Sequence, residues 1–221
     1  MGTSRYDRAK KIIDRLGIVL VYPIANKSEP PSLWTELWPK RPMEWSWDAD
    51  ADPRVAELWH LRERLARSQE VAYAKWFRGR ATFFSLPVFH ALLGRFARMD
   101  PFAGLPHEAS DILEILRERS PLSTKELRAA ADLRGKAYEG VFTHAMKALW
   151  SRLLVVGFGE IEDGAFPSLA IGATELLFED LWLARHRVPA KAEHAFDAAL
   201  ARSRAFRRAL DQALTPSDVP A

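Results

Sequence analysis

The sequence predicts an α+β fold, mostly helical, in three consecutive parts. These are a Trp-rich α/β subdomain over residues 1–103, a mixed segment over 104–173 and C-terminal helices over 174–221. Three observations carry the prediction. Apolar residues recur at helical spacing through most of the 221-residue chain. Two short apolar runs, Ile18–Tyr22 and Leu153–Glu160, interrupt that spacing and read as strands. Met99–Pro106, with Asp100-Pro101 and Gly104, is the strongest break in pattern and sets the first boundary.

In the first part, Ser4 can cap a helix carrying Tyr6, Ala9, Ile12, Ile13 and Leu16 on one face, with Gly17 ending it. The strand Ile18–Tyr22 stops at Pro23, and Ser32 can cap a short helix from Leu33 to Leu37. Residues 40–53 read as irregular, with four tryptophans between Trp34 and Trp47. Tryptophan suits places with one apolar and one wet side, so this region is expected to pack between parts or to line a groove. A helix is expected over 54–68. Val71–Phe77, the turn Arg78-Gly79-Arg80 and Ala81–Leu86 then read as strand–turn–strand or helix–turn–strand. Pro87 opens a further helix through Phe89, Leu92, Leu93 and Phe96.

The second part has a more specific order. A helix over 107–119 leads through the turn Pro121-Leu122-Ser123 to a helix over Lys125–Ala131 that Thr124 can cap. A turn at Asp132–Gly135 precedes a third helix, Lys136–Arg152. Then come the strand from Leu153, a tight turn at Glu162-Asp163-Gly164 and a return strand over Phe166–Ile171. Helix, turn, helix, turn, helix, strand, turn, strand is the order of a winged helix, in which the third helix enters the DNA major groove. Its outward side chains are expected to be Arg134, Lys136, Glu139, Thr143, His144 and Lys147. Tyr138, Phe142, Ala145, Met146 and Leu149 are expected in the core. The third part is expected to hold a helix capped by Thr174, broken by Pro189, and a single final helix over Lys191–Leu214.

Charge qualifies a DNA reading. The chain carries 32 basic and 29 acidic side chains, net +3. Residues 51–105 hold 9 basic and 5 acidic groups, whereas residues 106–172 hold 8 basic and 10 acidic. Duplex binding rests on neutralising phosphates, and a wing of Glu160, Glu162 and Asp163 would repel them. The candidate DNA contacts are therefore Arg134, Lys136, Thr143, His144 and Lys147 on and before the third helix, with Arg78 and Arg80 from the basic segment and the wing held away. Arg62, Arg64, Arg67 and Lys75 belong to the same segment, whose ordinary alternative is a solvated face.

Other chemistries find no support in the residues. With no cysteine there is no thiolate nucleophile, no Cys-ligated zinc and no iron–sulfur cluster. The six histidines lack metal-ligand spacing, and the glycines form no phosphate-binding loop. Asp48, Asp50 and Asp52 alternate without a calcium-loop pattern. No cofactor and no metal site is expected. No signal peptide and no membrane-spanning run is readable, so a cytoplasmic protein is expected.

Several segments resemble the winged-helix DNA glycosylases that excise alkylated and crosslinked bases, the AlkZ/YcaQ-like group, and especially their short relatives. They are the opening helix into Leu16-Gly17-Ile18-Val19-Leu20-Val21-Tyr22, Ser32-Leu33-Trp34 with Leu37-Trp38, the Trp45–Asp48 cluster, Trp59-His60-Leu61, and Phe77-Arg78-Gly79-Arg80-Ala81-Thr82. With the winged helix they cover about residues 5–172. The resemblance implies a Gln-apolar-Gln or Gln-apolar-Asp triplet soon after the Leu-Gly pair, where polar groups position or activate the attacking water. Carried over, those positions fall on Leu20 and Tyr22, neither of which can serve as a base near neutral pH. If excision occurs, a substitute base is expected among Glu44, Asp48, Glu63 and Gln69. The residues thus point to a non-catalytic, DNA-associated or regulatory winged-helix protein with double-stranded DNA as partner. The alternatives are a glycosylase-like enzyme with altered catalytic residues and a winged helix used as a protein-interaction module.

Overall fold

The structure is a computed structural model and describes residues 4–46, 52–162 and 167–214. The fold is mixed α/β and mostly helical, with two small antiparallel sheets.

Helix α1 spans Arg5–Leu16. The Asp7 amide donates to Ser4 Oγ at 3.1 Å at its start, and Gly17 at φ +79° ends it. Strand β1, Ile18–Leu20, is shorter than the apolar run predicts. Helix α2, Leu33–Leu37, opens on a capping box between Ser32 and Thr35. Helix α3 spans Pro53–Ser68 and is capped by Asp52, whose side chain accepts from the Arg54 amide. Val71–Phe77 is a strand, β2, which settles the choice left open by the sequence. It pairs with β3, Arg80–Ser85, and β3 pairs with β1, giving the order β1-β3-β2. Helix α4, Leu86–Ala97, follows directly.

This first sheet is buried on both faces, and its alternation divides the core. Val19, Val21, Val71, Tyr73 and Phe83 pack with residues of α1, α2 and α3. Ile18, Leu20, Ala72, Ala74 and Phe84 join a larger core that continues through α4 to the later helices.

Helix α5, His107–Arg119, is followed by a two-residue strand, β4, Leu122–Ser123, where the sequence suggests only a turn. Helix α6 spans Thr124–Ala130 and is capped by Ser123 rather than Thr124. The third helix of this segment begins as a 3-10 turn, Lys136–Tyr138, and continues as α7, Glu139–Ser151. Strand β5, Val155–Ile161, pairs with β6, Ser168–Ala173, and β6 pairs with β4, giving the order β4-β6-β5. The predicted tight turn lies partly outside the described residues.

The two C-terminal predictions need correction. The helix expected to begin at a Thr174 cap is two short helices, α8 (Thr174–Leu177) and α9 (Glu179–Leu183). Thr174 instead donates its buried hydroxyl to the Leu153 carbonyl at 2.6 Å. The final helix is also two: α10 (Ala190–Arg202) and α11 (Arg204–Leu214), separated at buried Ser203. The Ser203 hydroxyl accepts from the Phe206 amide at 3.2 Å and donates to Glu29 at 2.6 Å. A side chain that caps a new helix gives the backbone a reason to stop the old one. Among the described residues, no helix is long and apolar enough to cross a membrane.

Candidate nucleic-acid interface

The α6–α7 surface is assembled from local constraints. Ser123 and Glu126 cap α6 reciprocally: the Glu126 amide donates to Ser123 Oγ at 3.1 Å, and the Ser123 amide donates to the Glu126 carboxylate at 2.8 Å. Leu127 is the buried residue of α6. The connecting turn uses positive φ at Asp132 and Gly135. Across it the Arg128 guanidinium lies 4.4 Å from the Phe142 ring, tying α6 to α7.

Helix α7 buries Phe142, Ala145, Met146, Leu149 and Trp150. Its opposite side, with the preceding turn, exposes Arg134, Lys136, Glu139, Thr143, His144 and Lys147. Arg134, Lys136 and Lys147 have no ion-pair partner among the described residues. One expectation fails here. Tyr138 is 48% exposed, because the chain is still in its 3-10 turn and helical spacing does not apply. Val141 is exposed beside it, so two apolar side chains that the sequence reading missed stand among the cations. A groove of about 680 Å³ runs along α6, with Lys125, Arg128, Arg134 and Ser168 in its lining.

Arg78 and Arg80 are also exposed, but on the β2–β3 turn rather than on α6 or α7. In the rest of the basic segment Lys75, Arg64 and Arg67 are exposed, the two arginines with contacts to neighbouring side chains, and only Arg62 is buried. Arg62 is buried and pairs with Glu160. Arg67 bonds Glu63 at 2.9 Å and the Glu160 carbonyl at 2.7 Å, and Arg64 lies 5.2 Å from the Tyr6 ring.

Glu160, expected on a repelling wing, turns inward. Its carboxylate accepts from Arg62 and, at 3.1 Å, from the Trp59 indole N–H, while the Arg62 guanidinium sits 4.2 Å from the Trp59 ring. Glu162 remains exposed, and Asp163 lies outside the described residues. Beside this pair lie the hydroxyls of Tyr22 and Tyr73, both buried and, among the described residues, without a hydrogen-bond partner. Burial pushes the Tyr22 phenol up to about 12, against a smaller opposing pull from Arg62. Tyr73 reaches this place because β5 has Gly157 there: a Cβ would stand 2.3 Å from the Tyr73 ring.

The described tryptophans of the Trp-rich segment pack against neighbouring side chains rather than lining one groove. Trp34 is fully buried, and its indole N–H donates to the Arg41 carbonyl at 2.7 Å. Trp38 stacks near it with ring centres 4.9 Å apart. Trp45 is 53% exposed and meets the Tyr22 ring edge-on at 5.1 Å. Trp47 and Asp48 lie outside the described residues.

A family model described as "AlkZ related" matches residues 3–206, nearly the whole chain. The chain belongs to the AlkZ-related family. No curated protein and no solved structure matches it. In this AlkZ-related chain the two positions to which the resemblance carries the glycosylase motif are Leu20 and Tyr22. Leu20 has no exposed surface and belongs to the larger core. The Tyr22 hydroxyl is buried and is held in its protonated form.

Proposed function

We propose that this AlkZ-related chain is a cytoplasmic, non-catalytic winged-helix protein that binds duplex DNA, with α7 as its recognition helix and a DNA-associated or regulatory role. The observation that carries the reading is the face of α7 and its preceding turn. Three cations without acidic partners among the described residues stand there beside Glu139, with Thr143, His144 and two exposed apolar side chains. Cations neutralise phosphates, while hydroxyl, imidazole and apolar groups suit base edges and thymine methyls.

The winged-helix assignment draws on the order α5, β4, α6, α7, β5, β6 and on the return of β4 to the same sheet as the β5–β6 hairpin. We treat residues 104–173 as that unit, with 1–103 as the Trp-rich subdomain and 174–221 as C-terminal helices. The non-catalytic part of the proposal draws on the burial of Leu20 and of the Tyr22 hydroxyl.

The test is a titration with duplex and single-stranded DNA at two salt concentrations. Lys136→Glu with Lys147→Glu is expected to weaken duplex binding and to make the salt slope shallower by about one unit per lost phosphate contact. Unchanged affinity and slope would remove α7 as the contact surface. The protein-module reading draws on Leu176 and Leu183, which are 47% and 69% exposed. It gains if no duplex binds.

A further inference from the structure

A second group of cations lies away from α7. Arg78, Arg80, Arg204, Arg207 and Arg208 are all exposed, and none has an acidic partner among the described residues. They come from two elements that the sequence separates by more than a hundred residues, and an aromatic contact joins those elements. Phe206 of α11 is fully buried and meets the Phe77 ring edge-on at 5.2 Å and the Trp76 ring at 6.2 Å. The Arg78 guanidinium sits 5.3 Å from that same Phe77 ring.

Both elements are held so that the arginines face solvent. Phe206 and Leu210 fix the inner side of α11. Its start is pinned by Glu29, which accepts from Ser203 Oγ at 2.6 Å and from the Ala205 amide at 3.3 Å. That leaves Arg204, Arg207 and Arg208 outward, with Asp211 the one acid in the helix. On the other element, Phe77 pairs with Arg80 across a two-residue turn whose φ values are +52° at Arg78 and +72° at Gly79. Both are positive, as in the hairpin turns that favour Asn or Gly at the first place. Arginine there accepts a backbone cost that a neutral turn residue would avoid, and places a guanidinium at the tip.

We infer that the β2–β3 turn and α11 form a second, sequence-independent contact surface for the phosphodiester backbone of duplex DNA. The inference rests on the DNA-binding reading of α7 and extends it to a two-surface grip. A polyanion fits better than a small anion, because five like charges spread over two elements match a repeating charge. A lipid surface fits less well: none of the exposed large apolar side chains among the described residues lies on α11 or on the turn, so nothing there would insert.

The experiment compares three full-length variants by fluorescence anisotropy, on two duplexes of different sequence and at several salt concentrations. They are Arg204→Glu/Arg207→Glu/Arg208→Glu, Arg78→Gln/Arg80→Gln and Lys136→Glu/Lys147→Glu. The α11 triple variant is expected to lose at least about tenfold in affinity. Its log–log salt slope is expected to fall by about two to three units, with the preference between the duplexes kept. The turn variant is expected to lose less, in the same pattern. All five positions are exposed, so circular dichroism is expected to match the parent protein. If the α11 and turn variants keep parental affinity and slope while the α7 variant weakens, the second surface is wrong and the α7 reading stands. If they lose binding to anionic phospholipid vesicles but not to duplex, the partner is a membrane and the inference falls. Absence of duplex binding by the unmodified protein overturns both readings.

Discussion

The Glu160 carboxylate and the Arg62 guanidinium form an ion pair that joins the β5–β6 hairpin to α3, with both side chains about nine-tenths buried. The Trp59 indole N–H donates a second hydrogen bond to the same carboxylate, and Arg67 binds the Glu160 carbonyl. An acid that looks like a repelling wing charge in the sequence is thus an internal fastener.

This predicts the behaviour of a double-mutant cycle. Glu160→Ala strands a buried guanidinium and is expected to cost about 3 kcal/mol in urea unfolding. Removing Arg62 as well relieves the unpaired charge, so the double variant is expected to lose less than the two single losses combined. Strict additivity would show that the pair is not coupled. Glu160→Gln is not expected to raise duplex affinity, whereas neutralising exposed Glu162 will do so if the hairpin lies near DNA.

A second prediction concerns alkaline stability. Burial raises the folded-state pKa of Tyr22 to about 12, above the ordinary tyrosine value. A raised pKa means that the folded state holds its proton longer than the unfolded chain. The associated stability is fully present below about pH 10 and is lost as pH rises towards 12. Tyr22→Phe removes both the titration and a buried hydroxyl that has no partner among the described residues. It is expected to be neutral or stabilising at neutral pH and to flatten the loss between pH 10 and 12. A clear loss at neutral pH would mean that the hydroxyl has a partner in solution.

The secondary structure was legible where one local rule decided it. Ser4 and Gly17 mark both ends of α1, and the apolar spacing of Phe142, Ala145, Met146 and Leu149 gives the inner face of α7. The misreadings share a different cause. Glu160 and Arg62 looked like solvated charges because their partners lie about a hundred residues away, and no local pattern encodes a long-range pair. The break at Ser203 depends on Glu29, 174 residues earlier in the chain. Tyr138 was misplaced because a 3-10 turn rotates side chains differently from an α-helix.

The break at Ser203 gives a third prediction. Glu29→Ala removes the acceptor for the Ala205 amide and a negative charge at the start of α11. Ser203 still caps Phe206, so the expected loss is modest, about 1 kcal/mol. Hydrogen exchange is expected to speed up across residues 204–214 while α5 and α7 stay protected. Equal acceleration throughout would mean that Glu29 supports the whole fold rather than this helix.

The last prediction separates an enzyme from a binding protein. Base excision needs a polar group that can hold or activate water beside an extruded nucleotide. Of the two positions to which the resemblance carries the glycosylase motif, Leu20 is fully enclosed in the core between β3 and the segment at Pro31, whose carbonyl its amide bonds at 2.9 Å. Tyr22 is half-buried, and its hydroxyl is buried and protonated. Restoring the motif is therefore not expected to restore chemistry. Leu20→Gln would bury an amide without partners and is expected to cost roughly 1–3 kcal/mol. No release of alkylated bases is expected from the parent protein, from Leu20→Gln or from Tyr22→Gln. The assay is product formation from a duplex carrying a methylated or crosslinked purine, with protein in excess and long incubation. Turnover by the parent protein would overturn the non-catalytic proposal and direct attention to Glu44, which is exposed next to Trp45. Glu63 is paired with Arg67, and the Gln69 side-chain N–H donates to the Leu177 carbonyl.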